Sequence, residues 1–95
     1  MDELEEKVQR YLELNSKAVG KIRIAPDEDS YLHGMALDFL KMIESYSSDA
    51  SYFASKGDLI NAFAALNYVH GWIDAGARIG IFKVDHDHEL FTLFK

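Results

Sequence analysis

Three clusters of residues in this chain have types and spacings that can support chemistry. The densest is Asn67, His70, Asp74 and Arg78. On a helix turning by about 100° per residue these four fall within an arc of about 80°. Asp74 and Arg78 are four apart, so a carboxylate and a guanidinium can pair along the helix. Such a stripe is either a polar groove that takes a small ligand or nucleotide, or the solvated edge of an otherwise apolar helix.

The second cluster is Asp85-His86-Asp87-His88-Glu89. In an extended chain alternate side chains point the same way, so His86 and His88 are placed as two metal ligands must be. The neighbouring carboxylates can complete a zinc or nickel site. Two local ligands make only part of a coordination sphere, and His33 or His70 would have to supply the rest. The plainer reading of this segment is a polar surface loop.

The third cluster is the small-residue series Gly71, Ala75, Gly76 and Gly80. Gly76 and Gly80 have the G-x-x-x-G spacing that lets helices approach closely. Each glycine inside a helix costs about 1 kcal/mol relative to alanine, so a tight contact must compensate. That contact is either internal or with a second copy of the chain. The apolar run Leu90-Phe91-Thr92-Leu93-Phe94 adds aromatic surface that must fold back or meet another subunit. Gly76, Gly80, Phe91 and Phe94 are therefore the candidate self-association residues. A phosphate loop is not supported, because the glycines lie inside a helical pattern rather than at a strand-to-helix turn.

No nucleophile elbow, H-E-x-x-H motif or P-loop occurs in the sequence. Asp74 alone is an interior-facing candidate acid on the helix that carries the polar stripe. The expectation is a non-enzymatic protein that needs no cofactor.

The elements that position these clusters are helices. An amphipathic helix is expected over about 2–20, with Asp2 as cap, Glu5 as its capping-box partner, and Leu4, Val8, Tyr11, Leu12 and Val19 at helical spacing. Lys21 to Pro26 alternates polar and apolar residues, which predicts a short extended connector. A second helix is expected over about 28–56. Gly57-Asp58 then supplies a helix stop followed by a cap, the signature of a tight helical hairpin. A third helix is expected over about 58–82, apolar around most of its circumference, with Phe63, Leu66 and Trp72 in the core. A helix of that kind is central, or is covered on a second side by a partner. The fold class is all-α: one domain, an antiparallel three-helix bundle with a short extended tail over 83–95.

Composition bounds the partners. Ten Lys and Arg stand against sixteen Asp and Glu, for a net charge of -6. Nucleic-acid backbones and anionic membranes favour basic surfaces, so neither is an expected partner. The first residues are acidic and no apolar run is long enough to span a bilayer, so the chain is expected to be soluble and cytoplasmic. The absence of cysteine excludes disulfides and thiolate chemistry. A homodimer or other homo-oligomer is the expected assembly.

The segment from Gly57 to Gly80 is distinctive. Ala62-Phe63-Ala64, Asn67-Tyr68, Gly71-Trp72 and Asp74-Ala75-Gly76-Ala77-Arg78, with Asp49-Ala50 and Tyr52-Phe53 before them, resemble an archaeal family known as domain of unknown function 357. The resemblance implies a compact three-helix bundle from an archaeal cytoplasm. It implies no activity, and it assigns no residue a catalytic role.

Overall fold

The computed structural model describes residues 2–83. Helix α1 spans Glu3–Lys21, α2 spans Tyr31–Ser55 and α3 spans Leu59–Arg78, with two-residue strands β1 at Arg23–Ile24 and β2 at Phe82–Lys83. The chain is an all-α three-helix bundle with one small antiparallel ladder.

Local chemistry sets the helix ends. The Asp2 side chain accepts from the Glu5 amide at 2.7 Å, opening α1 with three acids in its first turn, where the helix dipole favours them. Helix α2 starts later than the acidic run Asp27 to Asp29 suggests. That run is spent in a turn: the Ser30 amide and hydroxyl both donate to the Asp27 carbonyl, and the Ser30 hydroxyl then caps α2 through the His33 amide. Gly57 takes φ +75° and ends α2, with the Asp58 amide returning to the Phe53 carbonyl at 2.9 Å. Asp58 caps α3 through the Asn61 amide.

Helix α3 is shorter than its apolar pattern predicts, because Gly80 adopts φ +84° and turns the chain out of the helix. The Ile81 amide returns to Gly76 and the Gly80 amide to Ala77, the paired bonds of a glycine-terminated helix. Ile81 and Phe82 are therefore not helical. β2 runs antiparallel to β1, with Arg23 opposite Lys83 and Ile24 opposite Phe82. The Ala25 amide extends the ladder to the Ile81 carbonyl at 3.0 Å. The connector after α1 thus clamps the segment that leaves α3.

The core has two centres. Val8, Tyr11, Ala50, Ala62, Ala65 and Leu66 pack where α1 and α3 begin and α2 ends. Ala18, Ala36, Ile43, Val69, Ile73, Ile81 and Phe82 pack at the opposite end, beneath the ladder. This places α1 and α3 parallel to one another, with α2 antiparallel to both. Of the three expected core residues on α3, Leu66 is fully buried, while Phe63 and Trp72 lie half-buried at the edges. Phe63 packs on Tyr11 and Trp72 on Phe39.

Candidate functional site

Helix α3 buries Ala62, Ala65, Leu66, Val69, Ile73 and Gly76 against the other elements. Its opposite face consists of Ile60, Ala64, Tyr68, Gly71 and Ala75, continued by the capping residue Ile79, and all six are exposed. Ile60 is 74% exposed, Tyr68 60% and Ile79 59%. At about 100° per residue the six occupy an arc of about 100°, one continuous apolar stripe along a helix that is already buried on its other side. The large members stand at the ends and beside the middle, and the centre is small.

The polar candidates line one edge of this stripe. Asn67 and Arg78 are exposed, and His70 and Asp74 are half-buried. Arg78 Nε donates to Asp74 Oδ2 at 3.0 Å, the expected pairing one turn apart. The four share a helix edge, and the groove between α1 and α2 and the one beside Tyr46 and Tyr68 between α2 and α3 are lined by other residues.

The small-residue candidates are redistributed. Gly76 is buried, and the ring of Phe82 from the same chain occupies the space a side chain there would fill. Gly80 lies in the turn beyond α3. Neither belongs to the outward face, whose small residues are Ala64, Gly71 and Ala75. Phe91, Phe94, His86 and His88 lie outside the described residues. Among the described residues no group of His, Asp and Glu is placed to hold a metal ion, and the His33 ring stands 3.1 Å from the Pro26 carbonyl.

The comparisons with known proteins bear on this geometry. The model of the DUF357 family, proteins of unknown function, matches residues 10–82. The chain belongs to this family. A crystal structure of the DUF357 protein AF1782 from Archaeoglobus fulgidus superposes with a TM-score of 0.71 at 28% identity, covering 87% of this chain and 95% of that one. No curated protein matches the chain. The DUF357 match contains the whole outward stripe of α3, the Asp74–Arg78 pair and the Gly76–Phe82 contact. It ends before the histidine pair and the aromatic run of the tail.

Ile60, Tyr68 and Ile79 belong to the apolar residues that make the third helix apolar around most of its circumference, and the sequence does not say which of those residues face outward. The available signal was the spacing of positions 60, 64, 68, 71, 75 and 79, a second helical stripe on the far side of the buried one. A second feature was missed. Leu12, Asn15, Ser16 and Val19 of α1 face Glu44, Ser47, Ser48 and Ser51 of α2 across an open groove of about 460 Å³. Asn15, only 5% exposed, donates from Nδ2 to the Ser47 hydroxyl at 3.0 Å and leaves its Oδ1 without a partner.

Proposed function

We propose that this DUF357 protein is a non-enzymatic helical interaction module that self-associates through the outward face of α3. One observation carries the reading: an exposed apolar stripe runs the full length of the most buried helix. Solvent-exposed apolar side chains scattered singly need no explanation, whereas a contiguous stripe marks a contact surface. Its rim of Asn61, Asn67, Asp74 and Arg78 matches the polar border of protein interfaces. An acidic chain without cysteine suits the reducing cytoplasm, and none of the described helices is long and apolar enough to cross a membrane.

A dilution series followed by amide NMR tests this. Resonances of Ile60, Ala64, Tyr68, Gly71, Ala75 and Ile79 are expected to move with concentration, while those of Ala62, Leu66, Val69 and Ile73 stay fixed. A spectrum unchanged across the series would refute the reading.

A further inference from the structure

We infer that the groove between α1 and α2 binds a small alkylammonium ion, with Asn15 and Glu44 holding its charged end. This site is independent of the α3 face. Each helix gives the groove one stripe, positions 12, 15, 16 and 19 of α1 and 44, 47, 48 and 51 of α2, at the spacing of a single helix face. Facing stripes between packed helices are ordinarily apolar and close on one another. Here α2 contributes a carboxylate and three serines, and the groove stays open at about 460 Å³.

Asn15 supplies the reason for a ligand. It lines the groove, it is only 5% exposed, and its Oδ1 has no hydrogen-bond partner. Its Nδ2 already donates to the Ser47 hydroxyl at 3.0 Å. Turning the amide over does not cure this, because Ser47 would then donate to Oδ1 and leave Nδ2 alone. Buried polar groups are nearly always paired, and here the described residues leave one atom of this amide unpaired. The Oδ1 is itself covered, but the terminal torsion of asparagine is soft, so the amide can tilt to meet a donor in the groove.

The chemistry of the wall names the class of ligand. Glu44 is the one charged side chain among the eight that line the groove, and none of the described residues pairs with its carboxylate. No lining residue is positive, so an anion would meet only repulsion. Acceptors at Oδ1 and at the carboxylate call for a donor, and an ammonium carries three N–H groups and no acceptor.

The bond between Asn15 and Ser47 sets the register of the two antiparallel helices. Glu44 precedes Ser47 by three residues, so it lies about 4.5 Å along the axis from Asn15, on the side of Val19. One nitrogen held between them can meet both. The opposite side, toward the half-buried Leu12, is left for the alkyl chain. Leu12 is three residues from Asn15, again about 4.5 Å, which suits a chain of about four carbons.

Amide NMR of the full chain, titrated with n-butylammonium chloride at neutral pH, constant ionic strength and constant protein concentration, tests the site. Amides within residues 12–19 and 44–51 are expected to shift and saturate, with a Kd on the order of a millimolar, the range open to a ligand of about five heavy atoms. Butyrate, the same length of chain with the opposite charge, is expected to bind at least about tenfold more weakly. Glu44→Gln, at an exposed position, is expected to weaken butylammonium by at least about threefold. The double variant Asn15→Leu with Ser47→Ala, which removes the unpaired amide, is expected to abolish the saturating shifts. No saturation by about 100 mM butylammonium would overturn the inference. So would butyrate or butanol binding as tightly as butylammonium, or binding unchanged in both variants. Tighter binding of N-acetyl-lysine amide, whose side chain ends in the same ammonium, would overturn a free amine as the occupant in favour of a lysine of another protein.

Discussion

The ring of Phe82 lies on Gly76, filling the space a Cβ would take. This contact joins the last strand to the third helix, and it explains a glycine that the sequence alone leaves ambiguous between internal packing and an interface. Gly76→Ala must displace a buried ring in a packed core. Overpacking of that kind costs about 1–3 kcal/mol. Urea denaturation should show the loss, and it should shrink in a Phe82→Leu background, because the two sites share one contact.

Gly71 is predicted to behave in the opposite sense. It sits in the middle of α3, and none of the described residues comes within 4 Å of where a side chain would stand. Gly71→Ala should raise stability by up to about 1 kcal/mol, an upward shift of several degrees in Tm for a domain of this size. The same change should weaken self-association, because it adds a methyl group to the close-approach centre of the outward face of α3. Thermal melts and a dilution series on one sample read both signs. A variant that is more stable and equally associated would remove Gly71 from the interface.

Asn15 gives a prediction about buried polarity. Its amide has one partner, the Ser47 hydroxyl, and its Oδ1 has none. Ser47→Ala should therefore destabilise by about 1–3 kcal/mol, the cost of a buried polar group left unpaired. Replacing both groups, with Asn15→Leu in the Ser47→Ala background, should recover most of that loss, as apolar pairs often replace a buried hydrogen bond at little cost. Chemical denaturation of the single and double variants decides it.

The cap Asp58 accepts from both the amide and the side chain of Asn61. Asp58→Ala should cost about 0.5–2 kcal/mol and Asp58→Asn much less, since asparagine caps nearly as well. By contrast Asp74→Ala, which breaks an ion pair between a half-buried carboxylate and an exposed guanidinium, should change stability by less than about 1 kcal/mol.

Much of this fold was legible in local chemistry. Asp2, Gly57 and Asp58 stand where a cap, a stop and a cap are needed, and the structure uses each of them so. The start of α2 was less legible, because Asp27, Asp29 and Ser30 all make good caps and only the turn they form selects Ser30. The end of α3 was misjudged because Ile79, Ile81 and Phe82 continue the apolar pattern. Gly80 and the pairing with Arg23 and Ile24 decide it, and that pairing joins residues far apart in sequence. The candidate site was hidden for a related reason. Spacing alone showed that α3 is apolar nearly all round, but which side faces outward depends on where α1 and α2 pack.

The central claim is that the outward face of α3 binds a second copy. Light scattering after size exclusion, from about ten micromolar to about one millimolar, tests it most directly. The account predicts a mass that rises from the 10.8 kDa of one chain toward twice that value, and that stays at one chain for Ala75→Glu. A wild-type mass fixed at one chain throughout that range would contradict it.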